Sequence, residues 1–345
     1  MRKEITENTI PEKELNLSRG KLIGRIVAVF LAAIIPFIML ASLTLFLPKC
    51  FDETFDAELA EKFALLNNED RPKIIVLGGS SVAFGLDSKT LSEKTGYPVI
   101  NFGLYAALGT KIMLDLSKSN INEGDIVVLT PEIENDTLSL FFNADETWRA
   151  LDTDLSMIRY IGKDNYSDLA GKFISYAGDK WKYFALGNKP EVLKAAYTLE
   201  AFNEYGDIVY PRPKNTMGKR GYDKTNPIRL LPEIIDEEFI KYLKDYVEFC
   251  EKRGATVVFS YPPMNQDALI EGTTDESVAQ FETFMKENIP CEIISSINDY
   301  LLDATLFYDT NFHLNDRGVP VRTEKLYEDL AARFSEIKKY LQVIK

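Results

Sequence analysis

Apolar residues are distributed along this chain in two distinct ways. Residues 26–47 form one apolar run without a charged side chain. Beyond residue 71, short apolar runs alternate with segments in which apolar residues recur every three or four positions. An apolar run of about 20 residues spans a bilayer as a helix, and strands alternating with helices indicate parallel β-α-β units. The pattern therefore predicts a membrane anchor followed by an α/β domain.

The domain is predicted to be a doubly wound, flavodoxin-like sheet of five parallel strands with helices on both faces, in the order 2-1-3-4-5. The five strands are expected at 73–77, 97–102, 125–130, 255–261 and 291–295. The helices are expected at 88–95, 110–119, 236–253 and 275–288. A last helix follows Asn315 and Asp316, either of which could cap it. Its buried stripe is predicted to be Leu326, Leu330, Phe334, Ile337 and Leu341.

The alternation lapses between about residues 137 and 232. This stretch is aromatic and mixed in charge, and part of it, for example 190–205, is predicted to be helical. We interpret it as an insertion in the α/β domain at 71–345 that shapes a cleft or lid, with a purely structural helical cap as the alternative. Residues 48–70 are predicted to be a juxtamembrane linker or helix.

Charges flank the apolar run asymmetrically. Residues 1–25 are basic, whereas the chain after Lys49 is acidic. Because basic flanks stay in the cytoplasm, we expect a cytoplasmic tail at 1–25, a single-pass anchor at 26–47 and an extracytoplasmic C-terminal domain at the cell membrane. A cleaved signal peptide is less consistent with the length of the run and the lack of a small-x-small site.

Composition narrows the classes of partner. The formal net charge is −13 over 345 residues, so the surface repels phosphate backbones and no nucleic-acid partner is expected. One histidine and three cysteines without metal-type spacing predict no metal site. No cofactor is expected.

The single histidine, His313, is the only imidazole that could act as a base for a serine nucleophile. Ser80 and Ser81 follow the first predicted strand and a Gly-Gly turn, and Asp309 precedes His313 by four residues. Loops at the carboxyl ends of parallel strands meet at one edge of the sheet. A serine nucleophile, a histidine base and an orienting aspartate are the parts of an acyl-transfer enzyme.

Backbone N–H groups at Gly79 and Gly103 are candidates for an oxyanion hole, since glycine allows close backbone approach. Simpler readings exist for each part. The Gly-Gly-Ser-Ser turn could only cap a helix or bind an anion, although a P-loop pattern is absent. Asp309 could only form a turn.

Three sequence blocks resemble the SGNH (GDSL-like) hydrolase superfamily. They are residues 76–81 (VLGGSS), 101–103 (NFG) and 309–314 (DTNFHL), and the most specific stretch is 307–315. Within that superfamily, the chain resembles its membrane-anchored extracellular branch, which includes DltD-like and polysaccharide O-acylation proteins. The resemblance implies the SGNH type of α/β fold, with a nucleophile at Ser80, a base at His313, an orienting Asp309 and an oxyanion donor at Gly103.

The chain departs from the family pattern at three positions. Gly79 replaces the usual aspartate, so that Ser81 is the alternative nucleophile to Ser80. Asp309 lies four residues before His313, where the family usually has three. The asparagine block is not recognisable, because Asn135 matches poorly and Glu132 would not donate to an oxyanion.

These features predict a serine esterase or O-acyltransferase acting on an acylated glycan or related cell-envelope polymer. The alternative is a catalytically inactive SGNH-fold scaffold that partners a membrane acyltransferase. A flavodoxin-type phosphate- or nucleotide-binding module is a third possibility.

Overall fold

The structure is a computed structural model that describes residues 19–337. The basic residues at 1–18 and Leu341, which the sequence assigns to the tail and to the last helical stripe, lie outside these residues. The chain divides into two compact units, Met1–Pro48 and Lys49–Lys345.

The first unit contains one helix, α1 (Arg19–Leu45). Its segment Gly20–Leu45 has a mean hydropathy of 2.8 and is long and apolar enough to cross a membrane. At a rise of 1.5 Å per residue, α1 is about 40 Å long. It begins before the predicted run because Lys21 and Arg25 are good helix formers. It ends before Pro48, which disfavours helical geometry at the residue preceding it.

The predicted five-stranded parallel sheet is confirmed in the second unit. Its strands are β1 (Ile74–Gly78), β2 (Val99–Gly103), β3 (Ile126–Leu129), β4 (Thr256–Phe259) and β6 (Glu292–Ile293). Between β4 and β6 the chain forms a short strand, β5 (Met264–Asn265), that is not part of this sheet. All neighbours are parallel in the order β2-β1-β3-β4-β6, which is the predicted order. Strand β7 (Leu301–Leu302) pairs with β5 in a two-stranded sheet of its own.

Ten helices of the described part of the second unit surround these strands. In chain order they are α2 (Glu58–Asn67), α3 (Ser80–Gly85), α4 (Ser88–Thr95), α5 (Thr110–Ser117), α6 (Ala144–Thr153), α7 (Tyr166–Leu186), α8 (Glu237–Glu251), α9 (Asp275–Asn288), α10 (Ile297–Tyr300) and α11 (Gly318–Arg333).

Helices cover both faces of the sheet, because side chains alternate between the faces along each strand. Ile74 and Val76 of β1 belong to a buried cluster with Leu326 and Leu330 of α11 and with Leu91 of α4. Helix α5 packs against β1 and β2, α2 packs against β2, and α8 packs against β4. Strands buried on both faces explain the nearly continuous apolar runs in the sequence.

The helices predicted at 88–95 and 275–288 have the predicted limits. The helix predicted at 110–119 ends at Ser117 and continues as a 3-10 turn. The last helix is not capped by the side chain of Asp316. Instead the Asn315 side chain accepts the N–H groups of Arg317 and Gly318. Phe334 lies just past the end of α11 and is buried, as is Ile337.

The insertion differs most from the prediction. Its helices are α6 and α7, which pack on each other through Trp148 and Tyr176, whose rings stack with centroids 4.8 Å apart. The stretch 190–205 has only 3-10 turns at Ala195–Tyr197 and Leu199–Ala201. Thr198 lies between these turns and pairs with Thr54 in an antiparallel bridge, so a tertiary contact overrides local helix propensity.

The stretch predicted to be a juxtamembrane linker or helix contains α2, and from Lys49 onward it belongs to the second unit. The N–H groups of Cys50 and Phe51 donate to Asp152 Oδ2, at 2.7 and 3.1 Å. The other carboxylate oxygen of Asp152 accepts from Tyr176 Oη and Lys180 Nζ, both at 2.7 Å. The beginning of this unit is therefore tied to the insertion.

Candidate active site

Ser80 stands at the turn from β1 into α3. Strand β1 ends at Gly78, Gly79 is the N-cap with φ −92° and ψ −144°, and Ser80 is the first helical residue. This strand-turn-helix geometry lifts the serine to the carboxyl edge of the sheet. Its Oγ lies 2.7 Å from His313 Nε2, a hydrogen-bonding distance.

His313 comes to this edge on the loop before α11. A bridge between Phe307 and Leu314 closes the loop, and the N–H of Tyr308 donates to the carbonyl of His313 at 2.8 Å. The closed loop turns Asp309 and His313 to the same side. His313 Nδ1 is 2.9 Å from Asp309 Oδ1. With the Ser80 hydroxyl donating to Nε2, the hydrogen-bond network assigns the proton of neutral His313 to Nδ1, which donates to Asp309.

Tyr197, a residue of the insertion, completes this row of hydrogen bonds. Its hydroxyl donates to Asp309 Oδ2 at 2.7 Å and lies 3.2 Å from His313 Nδ1. Burial acts to raise the pKa of Asp309, but the hydrogen bonds from His313 and Tyr197 outweigh it and hold that pKa below its usual value. Burial and then the charge of Asp309 raise the pKa of Tyr197, which stays a neutral donor.

An aromatic ring fixes the plane of the imidazole. Phe84 of α3 stacks on His313 with a centroid distance of 4.0 Å and an interplanar angle of 2°. Because Phe84 and Ser80 both belong to α3, the same short helix positions the serine and the ring beside its base. The stack limits rotation of His313 to its hydrogen-bonded orientation.

Ser81 occupies a different environment from Ser80. It is fully buried, and its Oγ has no hydrogen-bond partner among residues 19–337. Its carbonyl accepts from the guanidinium of the buried Arg322, which also donates to Thr130. Of the two serines predicted as nucleophiles, Ser80 is the one that the structure brings to His313.

Glu132 approaches the nucleophile from the loop after β3. Its Oε1 accepts the N–H of Ser81 at 2.6 Å and lies 3.4 Å from Ser80 Oγ. Its Oε2 is buried and has no hydrogen-bond partner in the described part of the chain. A Cβ on Gly79 would lie 2.3 Å from that oxygen, so the carboxylate can approach the turn only because residue 79 is glycine.

Gly103 lies at the end of β2, in register with Gly78 of β1. A Cβ there would lie 2.4 Å from Val82 Cβ, so glycine is required by close packing. Its N–H donates to Asn101 Oδ1 at 3.3 Å, a long bond. Gly79 and Gly103, the two predicted oxyanion residues, therefore lie side by side at the edge that carries Ser80.

A cavity of about 450 Å³ opens onto Ser80 and His313. Glu132, Glu134 and Tyr197 contribute to its lining. Burial, and secondarily the charge of Glu132, raises the pKa of Glu134 to about 7. The volume is within the range of about 300–1,000 Å³ that is usual for small-molecule sites.

Comparisons with known proteins add little to this geometry. No protein-family model and no curated protein matches the chain. Among solved structures, the chain is similar to the crystal structure of protein YXIM from Bacillus subtilis, at 12% identity and a TM-score of 0.32. The match covers 76% of this chain and 57% of that protein, so the chain spans less than two thirds of it. A similarity this distant supports no argument about function, and the family resemblance rests on the three sequence blocks.

Sequence reasoning did not find three residues that shape this site. Tyr197 lies far from the motifs in sequence, and Phe84 and Arg322 look like ordinary helix residues. The one available signal was the aromatic character of the insertion, which predicted a cleft but no particular side chain.

Proposed function

We propose that this protein is a serine esterase or O-acyltransferase with Ser80 as nucleophile, His313 as base and Asp309 as the orienting carboxylate. The observation that carries the proposal is the continuous row of hydrogen bonds from Ser80 Oγ through His313 to Asp309, at 2.7 and 2.9 Å, facing a cavity. These distances meet the geometric requirement for an activated nucleophile.

The reaction would proceed in two halves. Ser80 Oγ bonds to the ester carbonyl carbon while its proton passes to His313 Nε2, and the carbonyl π electrons move onto oxygen. Asp309 stabilises the imidazolium. As the tetrahedral adduct collapses, the bond to the alcohol breaks, and the departing oxygen takes the proton from Nε2. Water or an acceptor hydroxyl then attacks the acyl-serine by the same steps in reverse, giving hydrolysis or transfer.

The oxyanion would be stabilised by backbone N–H groups at the Gly79–Ser80 turn and by Gly103. Glu132 occupies the place where a side-chain donor would help and supplies only acceptor oxygens when ionised. We therefore expect a slower enzyme than one with a complete set of donors.

The proposed setting is the outer side of the cell membrane. Helix α1 meets the length and polarity of a membrane span, and the basic residues before it favour a cytoplasmic N-terminus. With the resemblance to the membrane-anchored SGNH branch, this supports an acylated glycan or related cell-envelope polymer as substrate.

Labelling with a fluorophosphonate probe tests the proposal. The full-length protein in detergent should label at Ser80, and Ser80→Ala and His313→Ala should abolish the labelling. Ser81→Ala is the matched control, since Ser81 Oγ contacts neither His313 nor the cavity, and it should label like the wild type. Labelling that persists in Ser80→Ala would contradict the assignment.

A second candidate is an inactive scaffold that partners a membrane acyltransferase, and Glu132 beside Ser80 is the observation that favours it. In that case Ser80→Ala and His313→Ala would leave the cellular function intact, whereas deletion of α1 would abolish it.

A further inference from the structure

Two further cavities lie next to the cavity at Ser80 in succession. A second cavity of about 230 Å³ shares Tyr105, Leu193 and Tyr197 with it. A third, of about 400 Å³, shares Phe51, Glu146 and Arg149 with the second. Shared lining residues place the three cavities in a row, which we call the long cleft, with each cavity as one section. A small ester would fill only the first section, so the other two need another explanation.

The charged residues that line the long cleft are mostly acidic. The first section has Glu132 and Glu134, the second adds Asp56, Glu146 and Glu191, and the third adds Asp145 and Asp179. The basic side chains that face the second and third sections are Arg149 and Lys172. Lys172 is ion-paired with Asp145 at 2.6 Å. A lining of this charge repels polymers that carry phosphate or carboxylate groups.

Carboxyl groups at these positions are suited to hydroxyl ligands. Burial, and then the charge of the neighbouring Glu146, raise the pKa of Asp56 to about 7, so that Asp56 keeps a proton through much of the range below neutral pH. The pair can then both accept and donate hydrogen bonds. Arg149 is in reach of Glu146 at 3.4 Å, yet 46% of its side chain is exposed and offers further donors to the second and third sections.

Aromatic side chains accompany the carboxyl groups along the cleft. Tyr105 and Tyr197 separate the first two sections, and Phe51 stands between the second and third. Trp148 and Tyr176 form part of the wall of the third section. Aromatic rings combined with hydrogen-bonding groups present surfaces that are apolar in one part and polar in another, which matches the two-sided character of a sugar ring.

We infer that the long cleft binds an extended, uncharged glycan chain, with its ester at Ser80 and successive sugar units in the second and third sections. This inference rests on the proposed function for the position of the ester. It narrows the substrate class from any acylated cell-envelope polymer to a hydroxyl-rich chain without anionic groups.

Substrate length provides the test. The full-length protein in detergent is given acetylated xylo-, cello- and chito-oligosaccharides of one to six units, with acetylated oligo-uronates of equal length as anionic counterparts, and acetate release is followed. We expect kcat/KM to rise at least tenfold from one unit to four for a neutral series, and the anionic series to be poorer at every length.

Arg149→Ala distinguishes binding in the second and third sections from the reaction at Ser80. It should lower the ratio of kcat/KM for four units to that for one unit by about threefold or more. The control is Arg71→Ala, because Arg71 is also an exposed arginine paired with a glutamate, at the opposite edge of the sheet. Arg71→Ala should leave the ratio unchanged.

Failure of the two proposals can be told apart. Acetate release from single-unit esters with no dependence on chain length, or a preference for the anionic series, would overturn the proposed glycan binding in the long cleft. Either result would still be consistent with the proposed esterase activity. If no ester is cleaved, binding of unacetylated hexamers is measured by tryptophan fluorescence, since Trp148 lines the third section. Binding of a neutral hexamer but no anionic hexamer would support the cleft without catalysis, and binding of none would overturn it.

Discussion

Glu132→Gln tests how the carboxylate beside Ser80 affects the proposed reaction. The carboxylate lies 3.4 Å from Ser80 Oγ, and its Oε1 accepts the N–H of Ser81 at 2.6 Å. Glutamine has the same shape and can keep that hydrogen bond through its amide oxygen. Its NH₂ group then takes the position of Oε2, so the change removes a charge while the start of α3 keeps its support.

The size of the effect follows from Coulomb's law. The oxyanion of the tetrahedral adduct is one carbon away from Ser80 Oγ, which places it roughly 5 Å from the carboxylate. Two like charges at about 5 Å and an effective dielectric constant of about 20 repel each other by about 3 kcal/mol. Removing that repulsion corresponds to an increase in kcat/KM of about 100-fold.

The assay compares hydrolysis of p-nitrophenyl acetate and the rate of fluorophosphonate labelling in the wild type and in Glu132→Gln. Glu61→Gln, at an exposed position of α2, is the matched control and should change neither. A fall of tenfold or more in a folded Glu132→Gln protein would refute the reasoning, because it would mean that the carboxyl group takes part in the reaction.

Three further changes have definite expected outcomes. Tyr197→Phe removes a hydrogen bond from Asp309, should raise the pKa of that carboxyl group and should lower kcat about tenfold, because Asp309 is then held less firmly beside His313; an unchanged kcat would contradict this role. Glu134 has a pKa raised to about 7, so the folded state keeps a proton that the unfolded state releases above about pH 4.5, and stability is lost as the pH rises through 7. Glu134→Gln should therefore raise the free energy of unfolding at pH 8, by on the order of 2 kcal/mol after allowance for solvent screening, and much less at pH 4, as measured by urea denaturation. Asp125→Ala strands the fully buried Lys73, its partner at 2.9 Å, and should cost about 3–5 kcal/mol in the same assay; a loss below 1 kcal/mol would show that the lysine finds another partner.

The sheet could be predicted because its strands are buried on both faces. Runs such as Ile74–Gly78 and Ile126–Leu129 contain almost only apolar residues, and that pattern marks a central parallel strand. The helix Ser88–Thr95 could be predicted to the residue because Gly96 follows it in the left-handed conformation that ends helices.

The insertion could not be predicted because its conformation depends on distant partners. The sequence around Thr198 does not predict its pairing with Thr54, and the sequence around Tyr197 does not predict its hydrogen bond to Asp309. The site shows the same division. Ser80, His313 and Asp309 lie in short motifs with local geometry, whereas Phe84 and Arg322 reach the site only through the packing of α3 and α11.

The attachment of Cys50 and Phe51 to Asp152 has a mechanical consequence. Any tension transmitted along the chain from α1 first meets the two hydrogen bonds to Asp152 and, through its other oxygen, Tyr176 and Lys180 of α7. The load then falls on the insertion before it reaches β1. The insertion, which interrupts the α/β pattern in the sequence, would thus carry a force applied at α1 before that force reaches the strand that leads to Ser80.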